Sequence, residues 1–180
     1  VSFLSIVLKL FSSKNILNGN SFNMDSVSTD LWGELWNTKE FGPNYKDNKF
    51  NLISIMFALH YMFKNKTSLD NLIQNIDDNL VNGGLFIGAC LDGTKIFELL
   101  SDKTKGEHVS GKKNKKILWK IKKNYTNKSF DNNEDSLGLE INVLMSSIGQ
   151  SIPEYLVNFK YFKQLLDEKN IKLLDLKTSS

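Results

Sequence analysis

Apolar residues run almost without interruption from Phe50 through Leu52, Ile53, Ile55, Met56, Phe57, Ala58 and Leu59, then stop at His60-Tyr61. A run of this kind predicts a strand buried on both faces, as in a parallel sheet. Downstream, Leu69, Leu72, Ile73, Ile76 and Leu80 recur at i, i+3, i+4, i+7 and i+11, the period of an amphipathic helix. Thr67 or Ser68 is the expected N-cap, Asp70 falls in the first turn, and Asn82-Gly83-Gly84 is expected to close the helix. Leu85–Leu91 reads as a second apolar strand, and Asp92-Gly93-Thr94 opens a helix carrying Ile96, Phe97, Leu99 and Leu100. Strand, helix, strand and helix in this order predict a βαβ unit with parallel strands.

The pattern changes after Ser101. Residues 102–116 are rich in lysine and contain Gly106 and Gly111, which reads as a flexible basic loop. Ile117, Trp119 and Ile121 fall on alternate positions in a stretch with lysines, and Leu137, Leu139, Ile141 and Val143 alternate likewise. Such alternation predicts strands with one solvated face, paired antiparallel across the polar stretch 124–136. Pro153 restricts Ile152 to extended backbone, so Glu154-Tyr155 is expected to begin a new element, with Glu154 in a first helical turn. A final helix carries Phe159, Phe162, Leu165 and Leu166, stops at Asn170, and leads to a strand over Ile171–Leu176. Near the start, Phe3, Ile6, Val7 and Leu10 fit a helix, while Leu4, Ile6, Leu8 and Leu10 fit a strand equally well. Asn15–Leu17 suggests a short strand opening into the turn Asn18-Gly19-Asn20-Ser21, and Asp30–Lys39 a short helix before the break at Gly42-Pro43-Asn44.

Composition narrows the chemistry. With 180 residues and 41% hydrophobic content, the expectation is one core and one domain. The single cysteine, Cys90, rules out an internal disulfide and favours a reducing compartment. All 23 basic residues are lysines, so a phosphate would meet ammonium groups or backbone N–H rather than guanidinium forks. None of the 11 glycines lies in a dinucleotide fingerprint or a phosphate-binding loop. The two histidines lack spaced thiol or carboxylate partners, so no metal site is expected, and no nucleophile elbow is present. The opening residues lack a basic n-region and a cleavage site, and are too few to span a bilayer, so no membrane segment is expected.

Two features remain as candidate chemistry. His60 and Tyr61 follow the carboxyl end of a predicted parallel strand, where open α/β sheets bind ligands, though an aromatic pair closing the core would look the same. Glu154 is the second, with dipole complement at a helix start as the plainer reading.

Three blocks then carry a resemblance: Lys49-Phe50-Asn51 through Phe63, Asn82-Gly83-Gly84-Leu85-Phe86-Ile87-Gly88, and Ile152-Pro153-Glu154-Tyr155-Leu156-Val157. In this order and spacing they resemble mRNA cap guanine-N7 methyltransferases, with a flavour close to the versions encoded by large DNA viruses. The likeness covers roughly Asn18 to Leu176. It implies an α/β, Rossmann-like S-adenosylmethionine-dependent methyltransferase fold, here partial, with an antiparallel β extension. Residues 1–180 would form one partial catalytic domain, truncated at both ends and lacking the glycine-rich cofactor loop. The implied reaction is methyl transfer from S-adenosylmethionine to N7 of the 5′ cap guanine of mRNA. The resemblance assigns cap-guanine contacts to His60, Tyr61, Glu154 and Tyr155, and cofactor contacts to Asn20, Ser21, Met56 and Phe57. Asn20 and Met56 replace an aspartate and a glutamine usual in the family. No general base and no metal are implied, because the work is positioning. Lys112, Lys113, Lys115 and Lys116 are candidates for RNA phosphates, with a solvated linker as the alternative. The implied partner is a capped mRNA 5′ end, with room for fused or separate triphosphatase and guanylyltransferase domains. The implied location is intracellular: nuclear in a cell, host-cytoplasmic or virion-borne in a virus. Two other readings stay open at this point, a methyltransferase with a small-molecule substrate and a non-catalytic RNA-binding module.

Overall fold

A computed structural model describes residues 49–174 together with the backbone of the strand Ile6–Ser13. That strand, β1, settles the ambiguity near the start in favour of the alternating pattern over residues 6–13. The expected strand at Asn15–Leu17, the turn with Asn20 and Ser21, the helix over Asp30–Lys39 and the break at Gly42-Pro43 lie outside the described residues, as do positions 175 and 176.

The βαβ unit is present. Strand β2 (Phe50–Met56) leads through a 3-10 turn, Leu59–Lys64, into helix α1 (Lys66–Asn79) and strand β3 (Leu80–Leu91), which runs parallel to β2. The described sheet has the order β2-β3-β1-β8, where β8 is Ile171–Leu173. Among its neighbouring strands β2 and β3 form the parallel pair, while β1 is antiparallel to both β3 and β8, so β2, β3 and β8 run in one direction and β1 against them. Strand β2 therefore lies at the edge of the described sheet and is half-buried, rather than buried on both faces.

Several boundaries differ from the sequence pattern for identifiable reasons. Strand β2 ends at Met56, three residues before its apolar run does, because Phe57 takes a left-handed backbone with φ 55°. The N-cap of α1 is Asn65, not Thr67 or Ser68, since the Asn65 side-chain oxygen accepts from the Ser68 N–H at 2.8 Å. The glycine pair does not end the helix, and Leu80 already belongs to β3. Phe50 faces Leu80 whereas Leu52 faces Leu85, so residues 81–84 bulge from the strand, with Gly83 at φ 82°. A side chain on Gly84 would come within 2.7 Å of Leu80 Cδ1 and 3.0 Å of the Val81 carbonyl oxygen.

The antiparallel extension is a sheet of order β4-β5-β6-β7, built from His108–Lys113, Lys116–Lys123, Glu140–Met145 and Ser151–Tyr155. Part of the expected basic loop is thus strand β4. Leu137 and Leu139 precede β6 instead of lying in it. Pro153 lies inside β7, a sheet-edge strand where a missing N–H is tolerated, so Glu154 is in a strand and not in a helical turn.

Two cores result. Leu69, Ile73 and Ile76 of α1 and Phe162 and Leu166 of helix α3 (Phe159–Glu168) pack with Phe86 and Phe63. Helix α2 (Gly93–Leu99) lays Ile96 against Ile121, Ile141 and Val143 of the second sheet. Among the described residues no helix is long and apolar enough to cross a membrane.

Candidate functional site

The site forms where the end of β2 meets the edge strand of the second sheet. Phe57 donates its N–H to the Ala89 carbonyl at 2.7 Å, which keeps β2 tied to β3 up to the point where the chain turns. A left-handed backbone in a bulky residue costs about 1–2 kcal/mol, and such strain concentrates at functional positions. Met56 and Phe57 are both exposed here, by 47% and 55%, a solvent-facing apolar pair at the carboxyl end of a parallel strand. The following 3-10 turn buries Leu59, Met62 and Phe63, and takes His60 down with them. Tyr61 stays at the surface, its ring 4.1 Å from that of His60 and tilted by 59°.

Glu154 arrives from β7, directly opposite Ile141 of β6. Beyond it, Leu156 donates to the Leu139 carbonyl at 3.0 Å, which anchors the outgoing chain. The Glu154 carboxylate lies 3.7 Å from His60 Nδ1, too long for a hydrogen bond. Burial pushes the His60 imidazole down to about 4 and the Glu154 carboxyl up to about 7. His60 Nε2 is buried without a hydrogen-bond partner among the described residues. Burial, and then the negative charge of Glu154, raise the Tyr61 hydroxyl. A neutral imidazole thus lies beside a largely buried carboxyl group, with unused hydrogen-bonding capacity on both.

Not every candidate residue converges there. Tyr155 follows Glu154 on β7, so its side chain leaves from the opposite face and packs against the first core. Lys112, Lys113, Lys115 and Lys116 are exposed around the tip of the β4–β5 hairpin. Asn20 and Ser21 lie outside the described residues.

Residues 13–180 match the model of the mRNA (guanine-N(7))-methyltransferase domain. The chain belongs to the mRNA (guanine-N(7))-methyltransferase domain family. It is 32% identical over 127 residues to a probable mRNA-capping enzyme of Acanthamoeba polyphaga mimivirus, covering 68% of this chain and 10% of that protein. It is 27% identical over 135 residues to mRNA cap guanine-N(7) methyltransferase 1 of Arabidopsis thaliana, covering 74% and 35%. Similarity to the Schizosaccharomyces pombe mRNA cap guanine-N(7) methyltransferase is 24% over 129 residues, covering 72% and 34%. The chain spans between a tenth and about a third of the length of these relatives.

Two further residues of this methyltransferase domain hold the Glu154 strand in place. Gly93 opens α2 directly against the Val157 backbone, where a side chain would come within 2.3 Å of the Val157 carbonyl oxygen. Asn158 is buried, accepts from the Tyr161 N–H at 3.1 Å and donates to the Asp131 carbonyl at 2.8 Å. An asparagine immediately before the helical spacing of Phe159, Phe162 and Leu166 is the local signal for this cap.

The buried pair has a pH signature. The Glu154 pKa rises on folding from 4.5 to about 7, so the unfolded chain ionises first, and stability falls as pH climbs through that interval. His60 drops from 6.5 to about 4, so the unfolded chain protonates first, and stability falls as pH drops through that interval. Where the two intervals overlap, their slopes oppose each other, and the pair contributes little net pH dependence. Glu154→Gln is therefore expected to stabilise the fold above pH 7, by on the order of 2–3 kcal/mol, and to be neutral below pH 4.5. Urea midpoints at the two pH values measure this, and an equal shift at both would contradict it.

Proposed function

We propose that this chain carries the guanine-binding part of an enzyme that methylates N7 of the 5′ cap guanine of mRNA, with S-adenosylmethionine as donor. The supporting observation is the meeting of His60, Tyr61 and Glu154, with His60 Nδ1 3.7 Å from the Glu154 carboxylate and the His60 ring 4.1 Å from that of Tyr61. Guanine presents N1–H and the N2 amino group as adjacent donors, and one carboxylate accepts from both. The ionised form of Glu154 also opposes the positive charge that develops on the purine. Tyr61 offers a ring face for stacking, and neutral His60 a ring nitrogen for a hydrogen bond.

The exposed pair Met56 and Phe57 fits the flat apolar adenosine end of the donor, and the family likeness adds Asn20 and Ser21 to that contact. When bound, S-adenosylmethionine supplies a methyl group already activated on a sulfonium. N7 carries its own lone pair, so the residues here bind and orient the guanine, and none is assigned as a general base.

The test is methyl transfer from labelled S-adenosylmethionine to GpppA-capped RNA, using the protein with all the flanking sequence its gene encodes. Nuclease digestion should release the labelled cap dinucleotide m7GpppA. Transfer to a small acceptor with capped RNA untouched, or RNA binding with no transfer to any acceptor, would overturn the reading.

A further inference from the structure

The β4–β5 hairpin carries a concentration of charge that the guanine pocket does not use. From His108 to Lys123 the chain has seven lysines and no aspartate or glutamate. Lys123 turns inward and is buried, donating to the Leu100 and Lys103 carbonyls at 3.0 Å each. The other six, Lys112, Lys113, Lys115, Lys116, Lys120 and Lys122, form no ion pair with a described residue. Lys113 lies directly opposite Lys116. Like charges in such positions destabilise a hairpin. The turn compounds this, because Asn114 and Lys115 take φ of 50° and 64°. A lysine thus occupies the second of two left-handed turn positions, where glycine is favoured.

Register shows where the charge leads. Ile121 faces the second core, so Lys120 and Lys122 project from the other side of the sheet. On that outer side Lys122 neighbours Asn142 and then Pro153, while Lys120 neighbours Leu144 and then Ser151. Two strand spacings, about 10 Å, therefore separate these lysines from the edge strand β7. Glu154 leaves β7 from the opposite, inner face with Ile141, so a chain on the outer face reaches the Glu154 side by passing round the β7 edge. The one carboxylate on this face of β6 is Glu140, which accepts from Asn124 Nδ2 at 2.9 Å.

We propose that the outer face of the second sheet, from the hairpin tip across Lys120 and Lys122 to Pro153, is the track for the RNA chain that follows the capped guanine. The proposal rests on the guanine reading above for its direction, and on the unpaired lysines for its existence. A run of point charges along a strand suits a regularly charged phosphate backbone and needs no base-specific contact.

The test compares Lys120→Gln/Lys122→Gln with the parent protein on two probes, a GpppA cap dinucleotide and a GpppA-capped 20-mer RNA. The double variant is expected to bind the RNA about tenfold more weakly at low salt, with the slope of log affinity against log salt reduced by about 1.4. Its affinity for the dinucleotide should be unchanged, and Lys120→Arg/Lys122→Arg should bind RNA as the parent does. Unaltered RNA affinity and salt slope, or equal losses on both probes, would overturn the track. Polyglutamate binding as tightly as RNA through the same lysines would also overturn it, and would make the face a docking surface for an acidic protein. A parent that binds RNA through these lysines but ignores the dinucleotide would support the track and overturn the guanine reading.

Discussion

Glu154→Ala is expected to lower kcat/KM for methylation of capped RNA by roughly 10²-fold or more, whereas Lys113→Ala changes it by only a few-fold. Each hydrogen bond from guanine to an ionised carboxylate contributes about 1.5–3 kcal/mol, and Glu154 offers an acceptor for two. The alanine variant removes both acceptors and leaves the two guanine donors without their partner. Glu154→Gln should fail almost as badly, because its amide keeps one acceptor and sets an N–H against the second guanine donor. Lys113 is one of six ammonium groups on its hairpin that reach solvent, and its neighbours compensate for its loss. The Gln variant also separates function from folding. Above pH 7 it should be more stable than the parent, since it no longer buries an ionised carboxylate, and yet be nearly inactive. Steady-state kinetics beside urea midpoints decide the matter, and equal kcat/KM for Glu154→Ala and Lys113→Ala would refute the ranking.

The helices were legible because their apolar residues repeat at the helical period. Leu69, Ile73 and Ile76 point inward as their spacing demands, and so do Phe162 and Leu166. Strand ends were less legible, because they depend on backbone conformation and not on hydrophobicity. Phe57 and Ala58 are as apolar as Ile55, and only the left-handed φ of Phe57 shows that the strand has ended. Gly83 and Gly84 read as a helix stop because glycine suits a helix C-cap, but pairing with β2 places them in a strand bulge. Lys112 and Lys113 looked like loop because charge and glycine suggest solvent, but cross-strand partners on β5 make them a strand.

The candidate site was legible only in part, and for a different reason. No local rule joins His60 to Glu154. They meet because β7 lies at the edge of its sheet and packs against the 3-10 turn after β2. The family likeness named both residues, while the structure adds the 3.7 Å approach, the enclosure of the carboxylate and the supports at Gly93 and Asn158. It also separates Tyr155 from Glu154 through the alternation of a strand, which the expectation of a helical turn had concealed.

Phe162→Ala is expected to destabilise the fold by about 3–5 kcal/mol, the range for deleting a fully buried aromatic ring. Phe162 has no exposed surface and contacts two other buried rings edge-on. Its centroid lies 5.7 Å from that of Phe63 at 72°, and 6.2 Å from that of Phe86 at 76°. Through them α3 is tied both to β3 and to the turn that carries His60. Against a total stability of about 5–15 kcal/mol, such a loss leaves little margin, and the urea midpoint should fall steeply. The proposed guanine site should feel the change as well, because Phe63 belongs to the same turn as His60 and Tyr61 and anchors it in the core. Phe162→Leu supplies the control: it retains most of the volume, loses the ring contacts, and should cost about 1–1.5 kcal/mol with cap-dinucleotide affinity nearly intact. A midpoint for the Ala variant within experimental error of the parent would mean that α3 does not hold the His60 turn through this cluster.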